Sequence, residues 1–161
     1  MIDEFPHKIL SIALYQPEIP ANTGNIIRLA ACLNCDLHLI YPLGFDFSDR
    51  HLKRAGLDYH DLTRIIHHHE ENDFWKLMKE QNYRVIGLST KAEQSLWTFE
   101  AQRGDCYLFG PETRGLPLEV RNNTTFNIKV PMSALARSLN LANTVAIVGY
   151  EAMRQMASGN H

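Results

Sequence analysis

The residues able to do chemistry in this chain gather in three short segments. The first, Asn22-Thr-Gly-Asn-Ile-Ile-Arg28, sets a glycine and small polar residues at the opening of an apolar-periodic stretch. A helix begun in this way offers free N–H groups and the positive end of its dipole, which suit a phosphate. Arg28 falls one turn inside the helix expected from Thr23 to about Cys35. There a planar guanidinium can clamp a phosphate or a hydroxyl. An ordinary capped helix with a surface arginine uses the same residues. The second segment, Gly110-Pro-Glu-Thr-Arg-Gly-Leu-Pro117, contains repeated glycines and prolines and so demands a special backbone path. A turn with an internal ion pair accounts for Glu112 and Arg114 but not for so many constrained residues. The third, Pro131-Met-Ser-Ala-Leu-Ala-Arg-Ser138-Leu-Asn140-Leu-Ala-Asn143, alternates polar with apolar residues. Ser138 is placed to cap the last helix. Asn140 and Asn143 are poor interior helix residues, which favours a functional or interface role.

Other patterns carry less. Cys32-x-x-Cys35 lies at the carboxyl end of the first expected helix, without the positive dipole that lowers a thiol pKa, so redox chemistry is not expected. In His67-His-His-Glu70, consecutive side chains of an extended segment point to opposite faces, and no second ligand cluster accompanies them. It reads as a solvated loop, and no metal site is expected. Arg50, Lys53, Arg54 and Arg64, with Tyr59 and His60 nearby, form a basic stretch. Such a run is either a wet face or a patch that meets RNA. No G-x-G-x-x-G follows the first strand and no P-loop pattern occurs, so neither a dinucleotide nor a nucleoside-triphosphate reading is supported.

The elements that must position these segments follow from periodicity. Strands are expected at residues 8–15, 37–41, 63–67, 83–89, 106–110 and 125–130, each short and rich in β-branched or aromatic residues. Helices are expected from Thr23 to about Cys35, over 49–55 behind Ser48 as N-cap, over 70–81 through Phe74, Leu77 and Met78, and from Leu139 to Met156. Strands alternating with helices imply one α/β domain over residues 1–161, a mostly parallel sheet flanked by helices on both faces. Ligands of such sheets bind beyond the carboxyl ends of the strands, where the three segments lie.

Composition sets the frame. With 161 residues, 45% apolar and 21% charged, the chain is ordinary globular material of one domain. A net charge of −2 excludes a bulk basic coat for nucleic acid but permits a local patch. Three cysteines make a disulfide framework unexpected and fit a reducing compartment. Acids near the start stand where a signal peptide carries bases, and no apolar stretch reaches about 18 residues. The expected location is the cytoplasm, with no membrane span.

Taken together, Pro20-x-Asn-Thr-Gly-Asn-x-x-Arg28, Phe109-Gly-Pro-Glu-Thr-Arg-Gly115 and Ile128-Lys-Val-Pro-Met132…Ser138-Leu-Asn-Leu…Tyr150-Glu151 resemble, in order and spacing, the three motifs of the SPOUT RNA methyltransferases. The compact chain and the Ala55-Gly-Leu-Asp-Tyr-His60 segment resemble the bacterial tRNA cytidine(34)-2′-O-methyltransferases within that superfamily. The resemblance implies a C-terminal deep trefoil knot, an exception to the rule against threaded chains. It also implies a homodimer pairing first and last helices, and S-adenosylmethionine bound in the knot, leaving as S-adenosylhomocysteine. The cofactor contacts it implies fall at Leu88, Gly110, Val130 and Ser138. Arg28 matches the arginine at the reacting centre; Asn25, Glu112, Asn140 and Tyr150 are weaker matches for positioning the nucleotide or organising the knot. The implied reaction is transfer of a methyl group to the ribose 2′-hydroxyl of the wobble nucleotide of tRNA, a cytidine or modified uridine of leucine isoacceptors. The partner would be the anticodon stem-loop, with no DNA and no metal. Rival readings are another tRNA position or ribosomal RNA as substrate, a non-catalytic RNA-binding module on the same fold, and a flavodoxin-like protein.

Overall fold

The computed structural model describes residues 2–56 and 62–157. Residues 57–60 of the Ala55–His60 segment, with Tyr59 and His60, lie outside the described residues. The chain begins its regular structure with β1 (Leu10–Tyr15), all six residues of which are buried. A strand covered on both faces reads as an unbroken apolar run, because neither face meets water. Next come α1 (Pro20–Leu33), β2 (Asp36–Ile40) and α2 (Arg50–Gly56), followed by β3 (Ile65–His68), α3 (Glu71–Gln81) and β4 (Val85–Leu88). After them come β5 (Gln94–Ser95), a 3₁₀ turn (Leu96–Thr98), β6 (Asp105–Phe109), α4 (Leu118–Asn123), β7 (Phe126–Lys129) and α5 (Leu141–Ala157). All pairings are parallel, in the order β3-β2-β1-β6-β4-β7-β5. The expected parallel α/β sheet is therefore present.

The sheet carries two apolar layers. Leu10, Ile12, Leu14, Leu37, Leu39, Ile86, Tyr107, Phe109 and Ile128 face Ile26, Ile27, Ala30 and Leu33 of α1, Leu52 of α2, and Val145, Val148 and Met153 of α5. Ala13, Tyr15, Ile40, Val85, Cys106 and Leu108 meet Phe74 and Met78 of α3 and Val120 of α4. The two-residue alternation of the strands sends neighbouring side chains to opposite layers. Helices α1 and α2 cross closely at Gly24, where a Cβ would strike the Leu52 carbonyl oxygen and stand 2.8 Å from the Ala55 Cβ. At the amino edge the buried Asp105 carboxylate takes both Arg84 Nε at 2.7 Å and Nη2 at 2.8 Å.

Several expected boundaries move. Helix α1 starts at Pro20 and not Thr23, since a proline in the first turn lacks only a donor the helix does not need. That sets Arg28 eight residues beyond the start, about 12 Å along the axis and not one turn in. Asp49, not Ser48, caps α2, its Oδ1 accepting the His51 N–H at 2.7 Å, while Ser48 is held by Asp46. Arg64 leaves the basic stretch: it stands at the amino end of β3 and reaches Asp36 at 3.3 Å. Both α4 and β5 are too short to leave a periodic signal.

Among the described residues, no helix is long and apolar enough to cross a membrane, and no three His, Cys, Asp or Glu side chains come together to hold a metal ion. Burial pushes the Cys35 thiol up to about 12, the opposite of what a reactive thiolate needs.

Candidate active site

The carboxyl ends of β1, β6, β4 and β7 open onto the three segments singled out above. Their meeting is built on Glu112. Its Oε1 accepts the Glu18 N–H and its Oε2 the Ile19 N–H, each at 2.8 Å, which serves donors at the amino end of α1 that have no partner inside the helix. Glu18 answers in the other direction: its Oε1 takes both the N–H and the hydroxyl of Thr113 at 2.8 Å, with the Arg114 guanidinium 3.5 Å away. The Thr113 N–H, then its hydroxyl, hold the Glu18 carboxyl below the ordinary range. The β1–α1 turn and the loop after β6 are thus locked by two carboxylates, each gripping the backbone of the opposite segment.

The third segment joins through Asn22. Its Nδ2 donates to Glu112 Oε2 at 3.4 Å, and its Oδ1 accepts from Asn140 Nδ2 at 3.2 Å. Asn140 is the N-cap of α5: its Oδ1 takes the N–H groups of Ala142 at 2.9 Å and Asn143 at 3.4 Å. The capping role expected of Ser138 therefore belongs to Asn140, two residues later. Ser138 is left free of that duty to line a cavity. Asn22 is only 8% exposed, so the Glu112–Asn22–Asn140 chain runs through a partly dry contact, where hydrogen bonds are costly to lose.

Around this chain lies a cavity of about 330 Å³. Leu88, Phe109, Leu116, Val130, Leu139 and Leu141 make apolar walls, and Ser89, Thr90, Ser138 and Thr144 add hydroxyls. Lys91, Arg114 and Arg137 bring positive charge to it. Its floor is the Gly110–Gly115 turn, in which Pro111 O accepts the Gly115 N–H at 2.9 Å. A Cβ on Gly110 would run into the Gly115 and Leu116 backbone, and Gly115 itself has φ +68°, a conformation that glycine adopts freely. A cavity of small-molecule size that joins apolar walls to hydroxyls and charged groups fits a ligand with a flat ring and a polar tail.

Leu88, Gly110, Val130, Ser138 and Glu112 all line this cavity, and Asn140 abuts it through its chain to Glu112. Arg28 and Asn25 do not line it; both are exposed farther along α1. Tyr150 is also elsewhere, on α5, meeting Phe5 edge-on at 6.3 Å. Asn22 and Glu18 were not singled out as site residues from the sequence. The available signal was a polar residue in the first turn of a helix that opens on proline, where a side chain must find tertiary partners if it is buried.

A family model described as the SpoU rRNA methylase family matches residues 9–150. The chain belongs to that family. A tRNA (cytidine(34)-2′-O)-methyltransferase of Yersinia pestis is 48% identical to this SpoU-family chain over 153 residues, covering 92% of it and 94% of the relative. The enzyme of that name from Escherichia coli K12 is 46% identical over 150 residues, covering 92% and 94%. A solved structure described as giving structural insights into the 2-OH methylation of C/U34 on tRNA superposes with TM-score 0.90 at 45% identity, covering 94% of this chain and 99% of its own. An AdoMet-bound rRNA methyltransferase from Sinorhizobium meliloti has TM-score 0.85 at 25% identity, covering 94% of this chain and 58% of its own. The cavity of this SpoU-family methylase lies where its three motifs converge.

Proposed function

We propose that this SpoU-family methylase transfers a methyl group from S-adenosylmethionine to the ribose 2′-hydroxyl of nucleotide 34 in the anticodon loop of tRNA, with leucine isoacceptors as substrates in the cytoplasm. The observation that carries the reading is the motif cavity, tied together by Glu112, Asn22 and Asn140, in a chain 48% identical to a methyltransferase named for that nucleotide. S-adenosylmethionine, when bound, supplies an electrophilic methyl on a sulfonium. Leu88, Gly110, Val130 and Ser138 hold it, largely by backbone groups at strand ends, and the apolar walls exclude water. No metal takes part. Membership of the SpoU family supports a chain end threaded as a deep trefoil knot.

Glu112 receives three donors, so it organises the loops and takes no proton from the substrate. Arg28 brings a planar guanidinium with several N–H donors and no acceptor. It grips the phosphate beside the reacting ribose and stabilises negative charge growing on the 2′-oxygen. The distance of Arg28 from its own cavity supports a homodimer that pairs α1 and α5, in which Arg28 serves the partner's cavity. Exposed Ile147, Tyr150 and Cys32 line the face available for that pairing. The exposed Arg50, Lys53 and Arg54 of α2 meet the tRNA backbone.

The test is methyl transfer from labelled S-adenosylmethionine into small RNA of a strain lacking the protein, followed by alkaline hydrolysis. Label in one alkali-resistant dinucleotide that contains nucleotide 34 is expected, since a 2′-O-methyl blocks cleavage at its own linkage. Label in mononucleotides, or only in ribosomal RNA, overturns the reading.

A further inference from the structure

A second set of planar rings stands at the carboxyl edge of the sheet, away from the motif cavity. Tyr41 follows β2, its N–H donating to the His68 carbonyl at 2.9 Å. His67 lies opposite Leu39 in the parallel register. With the two-residue alternation, His67 and His69 share the sheet face of Leu39 and Tyr41. The imidazoles of His67 and His69 are 6.5 Å apart with planes 18° from parallel. The Tyr41 ring lies 4.3 Å from His69 and 5.6 Å from His67.

These rings are held in place and yet open to solvent. The Tyr41 hydroxyl and His67 Nδ1 share a hydrogen bond of 2.7 Å, and Phe47 meets His67 edge-on at 4.8 Å. His67 and His69 are exposed, and Tyr41 is half-buried. Rings that served only the core would be covered; His67 and His69 are exposed at the edge strand. Beside them on the chain, α2 reads Arg-His-Leu-Lys-Arg-Ala-Gly with no acid, and Arg50, Lys53 and Arg54 are exposed. The nearby carboxylate of Asp46 is engaged by the Ser48 N–H at 2.8 Å and its hydroxyl at 2.5 Å.

Exposed rings beside the cations of α2 match the two needs of single-stranded RNA, a π-face for a base and positive charge for the backbone. We propose that Tyr41, His67 and His69 form a stacking platform for one unpaired base of the RNA substrate, with α2 holding the phosphates next to it. This rests on the reading of the chain as an RNA methylase. Three fixed rings lose little freedom on binding, so the platform strengthens substrate capture without touching the reacting atoms. Its loss acts on KM and leaves kcat.

The test uses the full chain and tRNA anticodon stem-loops carrying 2-aminopurine at one loop position at a time. Stacking quenches that base. The wild type is expected to quench one position strongly, His67→Ala and His69→Ala to abolish that quench, and Tyr41→Phe, which keeps the ring, to retain it. In methyl transfer, KM for tRNA rises about tenfold in the two alanine variants while kcat holds. Both histidines are exposed, so the truncations leave the core intact, and a thermal melt checks this. Unchanged quenching together with unchanged KM in both alanine variants overturns the platform. Failure of the wild type to methylate nucleotide 34 sinks the function proposed above and not the platform, which the same quench in the same stem-loops then decides.

Discussion

Lowering the pH from 7 to 5 should remove about 2 kcal/mol from the folded state through a single side chain, His38. This imidazole is only 4% exposed, stacks on His68 with centroids 5.2 Å apart and shares a 3.0 Å hydrogen bond with it. Phe74 meets it edge-on. Burial first, and then the neighbouring His68, push its pKa down to about 4 from the ordinary 6.5. Between those two values the unfolded chain holds a proton that the folded chain excludes. Stability is therefore full above pH 6.5 and falls as the pH drops toward 4, at a slope approaching about 1.4 kcal/mol per pH unit. At pH 5 most of that slope has been traversed, which yields the magnitude above. Urea unfolding at closely spaced pH values measures it, with His38→Gln as the comparison. The variant is expected to be less stable at neutral pH, since it leaves His68 without its partner ring, but to show a flatter pH curve by about 2 kcal/mol over the same interval. Parallel curves for the two proteins would refute the reasoning, whatever their offset.

The remaining expectations concern the site. Arg28→Ala should lower methyl transfer by about 10²–10³ while calorimetry finds S-adenosylhomocysteine binding unchanged, because the proposed role of Arg28 is toward the phosphate and 2′-oxygen of the RNA and not toward the cofactor. Mixing Arg28→Ala with a cavity variant, Gly110→Ala, should restore about one quarter of the wild-type rate if each site draws on both subunits; no restoration refutes the shared site. Asn22→Ala should cost about 2 kcal/mol in denaturant unfolding and weaken S-adenosylhomocysteine binding, since it breaks the link between Glu112 and Asn140. Replacing Arg50, Lys53 and Arg54 by Glu should weaken tRNA binding and flatten its salt dependence by about two to three logarithmic units per decade; unchanged affinity in a salt titration would remove α2 from the RNA interface.

Local pattern carried most of the elements into view. The run Leu10–Tyr15, apolar but for Ser11, marks a strand buried on both faces, and Phe74 and Met78 lie on one side of α3 as their spacing requires. The density of glycine and proline over Gly110–Pro117 marks a turn that few other residues could make, and Gly110 and Gly115 show why: one backbone passes against the other, at a positive φ. These features depend on neighbours along the chain, so the sequence holds them in readable form. The resemblance of the three motifs placed Leu88, Gly110, Val130 and Ser138, and the cavity contains all four.

The tertiary structure decided what depends on distant partners. Asn140, and not Ser138, begins α5, because its amide both caps the helix and reaches Asn22, 118 residues away in sequence. Arg64 looked like a member of the basic stretch until parallel pairing set it beside Asp36. Arg28 shares a motif with Asn22, yet a helix starting at Pro20 carries it away from the cavity that Asn22 supports. Tyr41, His67 and His69 acquire a common face only through the register of β2 with β3. Periodicity is a property of a segment and survives in its letters. Which segments lie side by side is set by the order of strands in the sheet, and that order is chosen by the burial of the whole core.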